Sequence, residues 1–85
     1  MGRGWVETGA GVEWFSGHRA LERPVRLRLG GRVLELAVEN AWVEGPPSGG
    51  RELIRVFIVR DPGGRRFRVS AYDGGRVGVG VEESE

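Results

Sequence analysis

The tripeptide Gly-Gly-Arg recurs four times, at Gly30-Gly31-Arg32, Gly49-Gly50-Arg51, Gly63-Gly64-Arg65 and Gly74-Gly75-Arg76, and each copy precedes an apolar alternation. Glycine accepts the positive φ that tight hairpin turns demand, and alternation of period two sets one face of a strand against a core. The intervals are 19, 14 and 11 residues, so the copies mark a recurring turn chemistry and not a repeat of fixed period. A chain punctuated in this way is committed to short antiparallel strands.

The correct hairpin register should place apolar residues opposite apolar residues. With Gly30-Gly31 as a two-residue loop, Leu27 falls opposite Leu34 and Val25 opposite Leu36, while Arg26 meets Glu35 on the other face. With Pro62-Gly63 at the centre of a type II turn, Ile58 faces Phe67, Val56 faces Val69 and Ile54 faces Ala71. A three-residue loop Asp73-Gly74-Gly75 sets Val69 against Val79 and Phe67 against Val81, whereas a two-residue loop would set Val69 against Gly78. The three-residue form, a type I turn with a glycine bulge, is the better match.

These registers predict consecutive strands near 24–29, 32–39, 52–60, 65–72 and 76–82, with Val12 to Phe15 as a further strand. Ser16 to Arg23 reads as a turn or a single helical coil that Pro24 stops, and 45–50, with Pro46 and Pro47, as one long polar loop. A meander with one apolar face must cover it. The expected fold is therefore all-β: a small five- to six-stranded antiparallel meander curled into an SH3-like barrel or roll, or paired with a second copy.

With 85 residues the chain fits a single domain spanning 1–85. It would bury roughly 60–65% of its unfolded surface, a small core that makes association with another chain a live alternative. Cysteine is absent, which removes disulfides, thiolate metal sites and thiol nucleophiles together and favours a reducing compartment. The segment Met1-Gly2-Arg3-Gly4-Trp5 has one positive charge but no apolar run behind it, unlike a signal peptide, and no stretch is long and apolar enough for a transmembrane helix. A soluble cytoplasmic protein without a membrane partner is the expectation. All thirteen basic residues are arginine, Glu outnumbers Asp ten to two, and glycine contributes 16 residues, a bias that a GC-rich, thermophilic source produces by itself.

The run Trp14-Phe15-Ser16-Gly17-His18-Arg19-Ala20-Leu21-Glu22-Arg23-Pro24, followed by a strand, a glycine turn and Val38-Glu39-Asn40-Ala41-Trp42, resembles a family of small bacterial proteins of unknown function. Their pattern runs aromatic-Ser-Gly-aromatic-Arg, then Glu-Arg-Pro, a strand pair ending in tryptophan, and a hairpin with an Asp-Gly turn. The resemblance spans about residues 12–81. His18 stands in place of the family's aromatic, and Asn40-Ala41 in place of Asp-Arg before Trp42. The resemblance implies the fold and a cytoplasmic bacterial origin, and it transfers no site residue.

Catalysis needs a nucleophile, a base and an orienting acid that converge. Ser16, His18 and Glu22 lie within seven positions of one loop, where convergence is rare, so no catalytic site is expected and His18, the only histidine, is read as structural. No metal site is expected from one histidine without cysteine, and no cofactor is implied. Gly75-Arg76-Val77-Gly78-Val79-Gly80 is glycine-rich, yet no helix follows to aim backbone N–H groups at a phosphate. It reads as a terminal strand over whose bare glycine face something packs closely, either the chain's own N-terminus or a neighbouring subunit. Trp14 and Trp42 are read as core. Trp5, within a stretch 1–10, is either frayed or docked on a partner chain.

The candidate site is the outer face of the central hairpin, where the Pro62-Gly63 register puts Arg55, Phe57, Arg66, Arg68 and Tyr72 opposite the core, with Arg68 across from Phe57. Arginines interleaved with aromatics suit RNA or single-stranded DNA, since guanidinium groups hold phosphates while rings stack on bases. The competing reading is a non-enzymatic protein-interaction or homo-oligomerising β-domain that uses exposed sheet edges and the glycine strand.

Overall fold

The computed structural model describes residues 4–15, 22–45 and 52–83. Eight strands follow one another: β1 (Trp5–Glu7), β2 (Gly11–Phe15), β3 (Arg23–Leu29), β4 (Arg32–Glu35), β5 (Ala37–Glu44), β6 (Ile54–Arg60), β7 (Arg66–Tyr72) and β8 (Val77–Glu82). They form a five-stranded antiparallel sheet in the order β1-β8-β7-β6-β5 and a three-stranded one in the order β2-β3-β4. The fold is all-β, an open two-layer roll whose sheets do not close into a barrel. Among the described residues there is no helix, and so none long and apolar enough to cross a membrane. Ser16, His18, the Gly49-Gly50-Arg51 turn and the Pro46-Pro47 loop lie outside the described residues.

The first hairpin follows its sequence register. Leu27 pairs with Leu34 and Arg26 with Glu35, the Leu36 amide donates to the Val25 carbonyl at 3.0 Å, and Gly30 and Gly31 take φ of 57° and 82°. Two consecutive left-handed residues are what a type I′ loop requires. Arg26 Nε lies 2.9 Å from Glu35 Oε2. The β2–β3 ladder shifts register between Glu13 and Trp14, where Trp14 faces Pro24. Proline has no N–H to give the ladder and is tolerated at such irregular places.

The expected strand over 32–39 divides at Leu36. β4 belongs to the small sheet, and β5 continues into the large one with a bulge between Val38 and Asn40. This crossing, with the earlier one from β1 to β2, folds one layer over the other. The core lies between them: Leu27 of the small sheet packs with Phe57, Val59, Phe67, Val69 and Val79 of the large one, and Val12, Trp14, Leu29, Leu34, Leu36 and Val81 complete the cluster.

The hairpin β7–β8 has the three-residue loop expected of it, pairing Val69 with Val79 and Phe67 with Val81, with Gly75 at φ 95°. The hairpin β6–β7 corrects the type II reading. Its partners are Val59 and Phe67, Phe57 and Val69, and Arg55 and Ala71, one residue away from the register predicted around Pro62-Gly63. Its loop is again three residues, Pro62-Gly63-Gly64. The Gly64 amide donates to the Asp61 carbonyl at 3.0 Å, the Asp61 amide to the Arg65 carbonyl at 2.9 Å, and Gly64, not Gly63, carries the positive φ of 90°. Buried Asp61 tightens the turn by accepting the Arg65 amide at 2.8 Å through Oδ1.

The N-terminal segment is paired rather than frayed from Trp5 onward. β1 lies along β8, with Trp5 opposite Glu82 and Glu7 opposite Gly80, so the chain's own N-terminus pairs beside one end of the glycine strand; the close packing expected over its glycine face is not found at Gly78, where a Cβ would meet nothing within 4 Å. A Cβ added at Gly80 would stand 3.1 Å from the Trp5 Cβ, a close approach that explains glycine there.

Candidate binding surface

A slip of one residue reverses which face a strand presents. The slip on β6 therefore divides the five candidate residues. Arg66, Arg68 and Tyr72 alternate along β7 on the outer face, away from the small sheet, as expected. Arg55 and Phe57 do not join them: they share the inner face with Val69 and Ala71, and Phe57 is 7% exposed in the core, its ring edge-on to Trp14 at 5.7 Å. The residue across from Arg68 is Ile58. Arg55 stands at the end of the core, where its NH2 donates to Glu22 Oε1 at 3.2 Å and its guanidinium lies 5.9 Å from the Trp14 ring centre. Small cavities of about 190 and 210 Å³ lie on either side of this ion pair.

The outer face holds other residues instead. Trp42 of β5 pairs with Val56 and belongs to this face, not to the core; its Nε1 donates to Glu44 Oε2 at 2.8 Å. Val56 is fully buried here between its cross-strand partners Trp42 and Ser70. Arg68 lies 5.9 Å over the Trp42 ring and reaches Glu44 Oε2 at 3.3 Å. Arg66 Nε is 2.9 Å from Glu39 Oε1, and Arg60 pairs with the other oxygen of Glu39, which the β5 bulge turns toward them. The Arg76 guanidinium stacks 4.0 Å from the Tyr72 ring centre. Trp5 and Glu7 of β1 complete the face.

Its electrostatics are balanced. Arg60, Arg66, Arg68 and Arg76 share the face with Glu7, Glu39, Glu44 and Glu82, and the first three of those arginines each have a glutamate within 4 Å. Exposed pairs of this kind contribute little stability, typically about 0–1 kcal/mol, but they cancel the field that would draw in a polyanion.

Relief on the face comes from β8. Gly78 and Gly80 put no side chain on the outer face of β8, so a shallow cleft of about 270 Å³ lies along it, with Arg68, Ser70 and Tyr72 of β7 on one side and Trp5 and Glu7 of β1 on the other at the Gly80 end. The Val-Gly alternation announced the bare floor; the walls needed the pairing of β1 with β8, for which Trp5, Val6 and Glu7 carry too short a signal. Among the described residues no cluster of three His, Cys, Asp or Glu side chains converges. Compared with protein-family models, curated proteins and solved structures, the chain matches none.

Proposed function

We propose that this chain is a non-enzymatic interaction module that engages an extended segment of another protein with the outer face of its five-stranded sheet. The observation that carries this reading is the union of Trp5, Trp42 and Tyr72 with arginines that glutamates already neutralise. Tryptophan, tyrosine and arginine dominate the energetics of protein interfaces, whereas nucleic-acid surfaces depend on uncompensated positive charge. Photo-cross-linking in cells from a reactive side chain placed at Ser70 tests it. The expected result is one protein partner, recovered by the parent chain and lost when Arg68→Ala or Trp42→Ala is added in a fold that remains intact by circular dichroism. Recovery unaffected by both substitutions overturns the reading.

A second reading, RNA or single-stranded DNA on the same face, is favoured by the Arg76–Tyr72 stack, a ready platform for a base. Fluorescence anisotropy with mixed short RNA and single-stranded DNA pools at low and high salt separates the two. Nucleic-acid binding would weaken with a log–log slope of about −0.7 per phosphate contacted and fall on Arg68→Ala. Absence of binding at low salt leaves the protein partner.

A further inference from the structure

Two charges flank the β8 cleft without an ion-pair partner among the described residues: Glu7, which lines it beside Gly80, and Arg76, which is not part of the lining but stacks on the lining residue Tyr72. Arg68, the one arginine among the lining residues, stands across Gly80 from Glu7 and is held by Glu44 at 3.3 Å. Both free charges sit on the outer face in rows separated by four residues of β8, which an extended strand spans in about 13 Å. Glu7 and Arg76 thus stand at opposite ends of the glycine floor, each with an aromatic ring beside it.

Gly78 adds a separate observation. A Cβ at Gly80 would stand tightly against Trp5 at 3.1 Å, but a Cβ built at Gly78 would meet nothing within 4 Å, and the φ of Gly78 is not positive. Glycine inside a strand weakens it, so the fold gains nothing from glycine at this position. What glycine does there is keep the middle of the cleft floor open to a close approach from outside.

Resting on the protein-binding reading of this face, we infer that the β8 cleft takes an extended peptide segment carrying a basic residue at Glu7 and an acidic residue four positions away at Arg76, with a small side chain over Gly78. The occupant lies on the sheet at Gly80, where β8 pairs with β1 on one side and β7 on the other; the β1-side pairing ends at Val79, short of Val77 and Gly78. Recognition is by side chains. Alternate side chains of an extended segment point the same way, so the two charged residues and the middle one all face the cleft.

The test is selection from a phage-displayed library of random heptapeptides on the full chain, followed by anisotropy of the selected peptide, labelled, on variants. The expected outcome is enrichment of Lys or Arg four positions from Asp or Glu. Binding falls at least about tenfold in Gly78→Val, whose unfolding midpoint is no lower than the parent's, and Glu7→Arg prefers the peptide whose basic residue is exchanged for Glu. Peptides without this charge spacing, or binding indifferent to both substitutions yet lost on Trp42→Ala, would overturn the cleft and leave the outer face as the interaction surface. No enrichment at all overturns both.

Discussion

Phe57 lies in the core against Trp14, Val59 and Val69, so Phe57→Ala is expected to cost about 3–5 kcal/mol, measured by chemical denaturation. A loss well under 1 kcal/mol would mean that the side chain faces solvent and that β6 takes the other register. At Glu13 the consequence is one of pH. Hydrogen bonds from Arg28, at 2.9 Å, and then from Arg26, at 3.2 Å, hold its carboxyl below the ordinary value, while Arg26 is raised by Glu35 and then Glu13. A carboxyl lowered by folding adds stability above its unfolded pKa and loses it as pH falls through its folded one. Glu13→Gln should therefore unfold at a lower temperature than the parent at neutral pH, with the difference closing below the carboxylate range. A constant difference across that range would refute the linkage.

The turns separate two loop geometries that one sequence permits. Gly64→Ala puts a Cβ at φ 90° and should cost about 1–2 kcal/mol, whereas Gly63→Ala, at ordinary φ with Asp61 Oδ1 at 3.5 Å from the new Cβ, should be nearly neutral. The type II turn expected around Pro62-Gly63 would reverse that order, so thermal unfolding of the two variants decides the matter. β6 shows why residue pattern alone misread it. Ile54, Val56, Phe57, Ile58 and Val59 are apolar on both sides of the strand, and each register sets apolar residues against Phe67 and Val69. Pairing is then decided by the loop, and Asp61-Pro62-Gly63-Gly64-Arg65 has the same Gly-Gly-Arg ending as the correctly read Tyr72-Asp73-Gly74-Gly75-Arg76. The first and last hairpins were legible because their strands are apolar mainly on one face.

As a whole the molecule is two open sheets with a radius of gyration of 13.1 Å, and its small core leaves the large sheet dependent on what borders it. Removing residues 1–9 would strip β1 from β8, expose the backbone edge of the Val-Gly strand and delete the side of the cleft formed by Trp5 and Glu7. Light scattering is expected to show self-association of the truncated chain and a lower unfolding midpoint; an unchanged monomer of equal stability would show that β1 is dispensable. By itself the amino-acid order determined the all-β class and two of the three hairpin registers, because turn glycines and one-sided alternation act locally. Only the tertiary structure decided the face of Arg55 and Phe57, the outward place of Trp42, the division of a strand at Leu36 and the pairing of β1. Each depends on which of two chemically equivalent faces meets a partner distant in sequence, and that choice is made by packing between the sheets.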